Sequence, residues 1–452
     1  MTAGLAACSS DKSENLGQIG AVSGFLGGVV ADEPRAVRVA RDVLSAGGTA
    51  ADAAVALYAT MTVTKSSVAG IGGGGVCVVH MRSAKKVEVL DFWPRPGTRT
   101  AADQTATTIP AVPRGLYALS ARYGRLNWAQ LLSAAEQYAR LGVPVSRSMV
   151  VDIDANRDRI EASPMLREVF MPGGNTLHVG DRIRSVNLGA LLTSLRVKGP
   201  GEFYNGALGA QIAKAVENAG GTLTADDMRS YKPEWKSATE VKVGNETLYL
   251  AYPPRSSSGR SVIDQGTELG AILNRYLADI DAGDNAAQTN SGRSGFVVLD
   301  RAANAVVCTT TMNKPFGAAL GADSFGLNLA AGDAAHAQTP LIGPALMVNP
   351  FAGKIHARGL VINNPPTFPQ PEFLQVREFE VQAEMWSLFS DKPVLNLVKM
   401  DIGLVALVKR PDGKTNTEVF RGYLASDDQG AKVPIPTSRQ PEPAGKEFLI
   451  RK

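Results

Sequence analysis

Histidine and cysteine are scarce in this chain, four and three of 452 residues. None stands at metal-ligand spacing, which argues against a structural zinc and against a thiol-redox centre. Outside the N-terminus no uninterrupted apolar run reaches the ~18 residues of a membrane span. Charge of one sign is lacking too. The 47 Lys and Arg stand against 43 Asp and Glu, and basic residues are interleaved with acidic ones, so no nucleic-acid partner is expected. Internal repeats and low-complexity segments are absent as well.

What is present suits a folded protein. Hydrophobic residues make up 44% and charged residues 20%, a balance that buries a core. The 46 Gly and 26 Pro fit a loop-rich α/β chain long enough for one large domain or a few ordinary ones. Leu5-Ala6-Ala7-Cys8 has the form of a bacterial lipobox, with Cys8 as the lipidation site and the polar stretch Ser9–Asn15 as a tether. Only seven residues precede Cys8, short of a basic n-region and a full apolar h-region. The expected location is the bacterial cell envelope, lipid-anchored and facing the periplasm; the alternative is cytoplasmic. Cys77 and Cys308 lie in short apolar runs and read as buried small hydrophobes. A disulfide between them is the other reading, in an oxidising compartment.

Apolar spacing predicts helices over residues 35–46, 52–62, 115–141, 188–195, 208–218 and 262–277. Strands are expected at 76–81 and 87–90, joined by a turn at Lys85-Lys86, and at 241–252. A hairpin is expected from 295–300 and 305–311, closed by Arg301–Asn304, with further strands at 345–348, 404–409 and 419–424. The strands on either side of the polar stretch 281–293 are most economically joined in one layered αββα domain. The loudest motif is Gly70-Ile71-Gly72-Gly73-Gly74-Gly75, just before a strand. Glycines there permit positive φ and close approach of a ligand or another backbone. It is not a phosphate loop, because no lysine and no helix start follow it. A tight structural turn and a ligand loop remain the two readings of it.

That motif has company. Arg41–Ala56, Thr62-Val63-Thr64 and Gly70–Gly75 resemble the start of a γ-glutamyltransferase large subunit. Gly201–Gly206, Gly220–Thr224, Tyr252-Pro253-Pro254 and Ser256–Gly259 are similar to mid-chain signatures of that family, also called γ-glutamyltranspeptidase or glutathione hydrolase. Asp300, Asn304–Val306, Thr309–Asn313 and Phe316-Gly317 are similar to its small subunit, and the order holds over most of residues 28–333. The resemblance implies a four-layer αββα sandwich of the N-terminal-nucleophile hydrolase type. Residues 1–27 would be a signal remnant and tether. Residues 28–293 would be the large-subunit-like part and 294–452 the small-subunit-like part of one domain. It also implies self-cleavage before a threonine, transfer of a γ-glutamyl group to water or an amino acid, and no metal or organic cofactor.

The chemistry such a family needs is altered here in three places. Registering on Asp300, Asn304 and Asn313 puts Arg293 where the catalytic threonine belongs, and a guanidinium is no acyl-accepting nucleophile. The adjacent Ser294 takes over only if the register slips by one residue; otherwise it is a polar residue opening a strand. Thr289 and Ser291 lie further from the strand. The family's arginine clamp for the substrate carboxylate corresponds to Trp93 after Leu90-Asp91-Phe92, with Arg95 two residues on as a substitute clamp or a solvated loop residue. The paired serines of the oxyanion region correspond to Ile342-Gly343, and its paired glycines to the stretch 359–364. Thr311, Asn313 and Asp333 persist at positions that help hold the nucleophile and the substrate amine, and each also reads as a structural polar residue.

Two functions follow from the resemblance. The favoured one is an uncleaved relative with lost or impaired γ-glutamyl transfer and hydrolysis, an envelope lipoprotein with a binding or structural role. The alternative is an active, self-cleaved γ-glutamyltransferase, glutathione hydrolase or related amide hydrolase with Ser294 as nucleophile. The expected partners are a γ-glutamyl or small amino-acid-like ligand, the membrane through the lipid, and an active paralogue.

Overall fold

The computed structural model describes residues 27–84, 86–99, 106–243, 246–252, 292–332 and 344–348, the strand backbones 353–363, 372–383 and 394–405, and residues 415 and 449–450. The expected helix 262–277, the strand 419–424, the tether and Cys8 lie outside the described residues.

Strand β1 (Gly27–Ala31) leads into helices α1 (Pro34–Ser45), α2 (Ala50–Thr64) and the single turn α3 (Ser66–Ala69). The hairpin β2 (Gly74–Met81) and β3 (Lys86–Phe92) follows. Next come α4 (Val112–Tyr123), α5 (Trp128–Leu141), the short β4 (Val143–Pro144), α6 (Arg147–Ala155), α7 (Arg157–Ala162), α8 (Pro164–Phe170) and β5 (Arg182–Ile183). Helices α9 (Val186–Lys198), α10 (Pro200–Asn205), α11 (Ala207–Asn218) and α12 (Ala225–Ser230) precede β6 (Glu234–Ser237), β7 (Thr239–Val243) and β8 (Glu246–Leu250). The later strands are β9 (Arg293–Asp300), β10 (Ala305–Thr311), β11 (Gly321–Ala322), β12 (Leu327–Asn328), β13 (Ala345–Val348), β14 (Gly353–Asn363), β15 (Glu372–Ala383), β16 (Val394–Val405) and β17 (Leu449–Ile450).

Helix α2 is the pivot. Thr49 and Asp52 form a reciprocal capping box at its start, and every residue of the helix is buried. An all-round apolar, alanine-rich helix is what a position enclosed on every side demands. Its first backbone N–H also donates to Asp300 Oδ2 at 3.0 Å, while Asp300 Oδ1 accepts from the N–H groups of Ala302 and Asn304. One aspartate thus caps the central helix and closes the β9–β10 turn.

A six-stranded sheet in the order β1-β9-β10-β2-β3-β6 lies against the helices, with antiparallel pairing throughout. Strands β9 and β10, from residue 293 on, are inserted between β1 and β2 from before it. Reading across, Ala31, Phe296, Cys308, Cys77 and Leu90 are paired neighbours, and the last four belong to the core shared with the helices. The row beside it, Val30, Val297, Val307, Val78 and Val89, faces the opposite way because successive side chains alternate. Val78 and Val89 join Val76, Trp93 and Ala251 in a second core, against which Tyr249 of β8 and Leu346 of β13 pack. Those strands form a three-stranded sheet, β13-β8-β7, so helices, sheet and second sheet stack as layers. Strands β14 to β17 make a further sheet.

Cys77 and Cys308 are direct partners on β2 and β10, their Cα atoms 4.1 Å apart, and they form a disulfide within the helix-side core. Reading them as free small hydrophobes is corrected on the bond but not on the burial. The strand structure expected at 241–252 takes the form of the hairpin β7–β8.

Candidate active site

The glycine run is filled by protein, not by space for a ligand. A Cβ on Gly72 would stand 2.0 Å from the Asn328 carbonyl oxygen, one on Gly73 2.3 Å from that of Thr311, and one on Gly75 2.4 Å from that of Thr309. None of the four consecutive glycines has a positive φ. They are there for close backbone approach, and the carbonyl of Gly73 in turn accepts the Ala111 N–H at 2.8 Å at the entry to α4.

The register of β9 decides which way the neighbouring residues 293 and 294 face. Ser294 pairs with Thr310, on the same face as buried Phe296, so its side chain is on the helical side. There its hydroxyl hydrogen-bonds the carboxyl of Asp32, in the loop between β1 and α1. Asp32 keeps contact with solvent, yet protein crowds its carboxyl, and this desolvation raises it above the ordinary aspartate value against the opposing pull of Lys65 and Ser294. Lys65, buried at the end of α2, bonds Asp152 Oδ2 at 2.8 Å and the Ser148 carbonyl at 2.7 Å. Asp152 also accepts from the Ser67 hydroxyl, and Ser148 Oγ donates to the Asp32 carbonyl at 3.1 Å. Ser294 therefore belongs to a polar cluster wedged between the sheet and α2, α3 and α6.

Arg293 takes the other face. It pairs with Thr311, which pairs with Gly74; Thr311 is buried, and the space over Gly74 is taken by Pro94 and the Phe92 carbonyl. The exposed Arg293 side chain lies with its guanidinium carbon 5.5 Å from the centroid of the Trp93 ring. Trp93 is 2% exposed. Its backbone is fixed at both ends: the N–H donates to Asp91 Oδ1 at 3.1 Å and the carbonyl accepts from the Tyr231 hydroxyl at 3.2 Å. Its indole N–H has no hydrogen-bond partner among the described residues. The two positions where the resemblance expects a nucleophile and a carboxylate clamp thus touch each other, with the arginine on the opposite strand from the one expected.

Arg95 is engaged elsewhere. Its guanidinium is 2.7 Å from Glu234 Oε1 and 5.9 Å from the centroid of the Tyr231 ring. Glu234 also pairs with Lys236 at 3.0 Å, and Lys236 with Asp91 at 2.8 Å. Lys236 and Arg95 hold the Glu234 carboxyl below its ordinary range, outweighing its partial desolvation. Thr311 and Asn313 are brought together at the end of β10: the Thr311 hydroxyl accepts the Asn313 N–H at 2.8 Å, and Asn313 Nδ2 donates to the Ala331 carbonyl at 2.7 Å. Asn313 sits at φ 62°, a left-handed conformation that asparagine tolerates, so both residues shape the turn leaving the strand. Asp333, Ile342, Gly343, Thr289 and Ser291 lie outside the described residues. Among the described residues no group of three His, Cys, Asp or Glu could hold a metal, and no helix is long and apolar enough to cross a membrane.

The profile of the family described as gamma-glutamyltranspeptidase matches residues 36–276. The chain is 29% identical over 395 residues to Glutathione hydrolase 3 of Arabidopsis thaliana, covering 72% of this chain and 62% of that protein. It is 26% identical over 256 residues to the Glutathione hydrolase proenzyme of Bacillus subtilis, covering 52% and 42%. The chain thus spans less than two thirds of the length of these relatives. In fold it is similar to the crystal structure of cephalosporin acylase from Bacillus halodurans, with a TM-score of 0.56 and 20% identity over 78% of this chain and 77% of that one.

Proposed function

We propose, from the premise that this chain belongs to the gamma-glutamyltranspeptidase family, that it keeps the family's α/β sandwich without its γ-glutamyl transfer or hydrolysis. The observation that carries this reading is the facing of residues 293 and 294. On the sheet face that bears Trp93, the position matching the nucleophile holds a guanidinium, which stays protonated and cannot attack a carbonyl. The nearest hydroxyl in sequence, Ser294, is on the other face and donates to a carboxyl. Turning it over needs a one-residue slip of β9, which would also move Phe296 and Val298 out of the core and detach Asp300 from α2. Loss of a nucleophile costs on the order of a millionfold in rate where it has been removed from a comparable acyl-transfer machine. The engagement of Arg95 with Glu234 supports the same reading, since the substitute clamp already has a carboxylate.

What is left is a binding or structural role, which we place in the cell envelope. A buried disulfide supports an oxidising compartment, and the lipobox at Cys8 supplies a tether to the membrane. The alternative, a self-cleaved enzyme with Ser294 as nucleophile, draws on the Ser294–Asp32 hydrogen bond and is disfavoured by the face on which that bond lies.

Intact mass under denaturing and reducing conditions tests the proposal, together with turnover of a γ-glutamyl anilide. The expected result is one chain across the Arg293–Ser294 bond, a lipid adduct on Cys8, and no turnover. Two fragments that meet at Ser294, with turnover abolished by Ser294→Ala, would overturn it.

A further inference from the structure

Gly72 to Gly75 close against backbone, but the start of the same motif borders a space. Gly70 and Ile71 line a cavity of about 60 Å³ among the helices, and the four consecutive glycines take no part in it. Its other walls come from separate elements: Val63 of α2, Phe170 of α8, Leu188 of α9, Phe316 after β10 and Asn328 of β12. Those walls are fixed against one another. Phe170 and Phe316 meet edge to face with ring centroids 5.1 Å apart, and the Phe316 N–H donates to the Ser67 carbonyl at 2.8 Å. Gly326, left-handed at φ 60°, lets the turn before β12 close on the start of α9, where a Cβ would stand 2.5 Å from the Leu188 nitrogen.

Lining chemistry selects the ligand. The floor, Val63, Ile71, Phe170, Leu188 and Phe316, is buried, whereas Val169, Ser185 and Asn328 are half-buried and mark the mouth. Among the described residues no charged side chain lines the cavity, so a carboxylate or an ammonium group would be desolvated there without a counter-ion. Its polar groups are largely committed. The Thr62 hydroxyl donates to the Ala59 carbonyl at 2.6 Å, Ser185 Oγ accepts the Leu188 N–H at 3.4 Å, and Asn328 Nδ2 donates to the Phe316 carbonyl at 2.7 Å. Asn328 Oδ1 remains, a buried acceptor with no partner among the described residues, and a hydrogen-bond donor is the head group that suits it. Size sets the tip: an apolar cavity of ~150 Å³ holds the six carbons of benzene, so about 60 Å³ takes roughly two or three.

We propose that this cavity is a binding site for a neutral small molecule, which inserts an apolar tip of about two or three carbons and keeps a hydroxyl or amide head at the mouth. None of its residues is among those matched to the nucleophile, the carboxylate clamp or the oxyanion region. The site therefore stands apart from the reading that γ-glutamyl chemistry is lost.

Calorimetric titration and saturation-transfer NMR on the full chain test it with isobutanol, isobutyramide and isobutyrate. Saturable binding of the two neutral compounds is expected. Isobutyrate has the skeleton of the amide with a charge and no donor, and should bind more weakly by about tenfold or more. Val169→Phe fills the mouth from a half-buried position and should weaken both neutral ligands by at least about tenfold. Ile71 also borders a smaller void lined by Trp128, so Ile71→Val lengthens the cavity by one methylene. That variant should raise the preference for isopentanol over isobutanol by about fourfold relative to the parent, and it keeps the test open if Val169→Phe does not fold. Unfolding curves accompany each variant. No saturable binding of the neutral pair, isobutyrate as tight as isobutyramide, unchanged affinity in folded Val169→Phe, or an unchanged isopentanol preference in Ile71→Val would overturn the proposal. Anilide turnover is scored separately: turnover with the cavity binding intact sinks the loss of catalysis alone, and absent binding without turnover sinks this site alone.

Discussion

Asp32 is the residue where the helical layer and the sheet exchange charge. Its carboxyl titrates above the ordinary value chiefly through desolvation, so in the folded chain the ionised form is disfavoured. Below 3.8 the group is protonated in both folded and unfolded chain and adds nothing. As pH rises through the interval between that value and the folded one, stability is lost, and the loss is complete above it. Asp32→Asn should therefore lose less stability than the parent between pH 3 and pH 7, as read by urea unfolding at each pH; an identical pH slope would refute this. Sequence reading reaches Ser294 through its place beside Arg293, but nothing in the sequence points to Asp32 or Lys65. They stand at the ends of different elements, far from Ser294 along the chain; the β1–β9 pairing brings Asp32 to Ser294, and the end of α2 brings Lys65 to Asp32. The same holds for Trp93 and Arg293. Each is legible alone as a departure from the family pattern, whereas their contact across three strand pairings is not.

At the scale of elements, the glycine run and the central helix were both legible, for different reasons. Helix α2 announces itself by an alanine-rich run, and its observed bounds exceed the expected ones by two residues at each end; the Thr49–Asp52 capping box starts it earlier. The glycines announce a special backbone but not which kind, since ligand and backbone approach leave the same mark. Strands β14 and β15 escaped, and β16 was met only at its last residues by the strand expected at 404–409; β-bulges interrupt the two-residue alternation that pattern reading depends on, the β15–β16 register shifting around Gln375, Val376 and Glu378 and again at Gln382. A pair of alanine substitutions separates the two uses of glycine. Gly73→Ala should destabilise by ~3 kcal/mol, because its Cβ would strike the Thr311 carbonyl oxygen of β10. Gly28→Ala in β1 meets nothing within 4 Å and should be neutral or slightly stabilising. Denaturant midpoints measure both; equal effects would return the glycine run to the ligand-loop reading.

For the whole molecule, the interleaved six-stranded sheet makes the two parts of the sequence one cooperative body. Strand β1 would have no sheet to join without β9, and β2 gains its second partner only from β10. The disulfide fastens that arrangement across a sequence separation of 231. In the chain-entropy picture, closing a loop of that length stabilises by about 5 kcal/mol, so Cys77→Ser with Cys308→Ser should lower the unfolding midpoint markedly and cooperatively. A double variant as stable as the parent would mean that the native thiols are unpaired. The layered architecture was legible from where strands recur along the chain. The bond was not, because two cysteines in valine-rich runs read equally well as packing.

The same closure has a mechanical meaning when the chain is pulled by its two ends. Tension applied between the termini passes from Cys77 directly to Cys308 and bypasses everything between them: β2 from Cys77 on, β3 to β9, the helices α4 to α12, and β10 up to Cys308. Stretched oxidised, the protein can lengthen only through the segments outside that ring. Reduced, it should yield roughly 80 nm more, at ~3.4 Å for each residue released. Closed in this way, the chain keeps the segment that carries Trp93 slack while its ends are pulled.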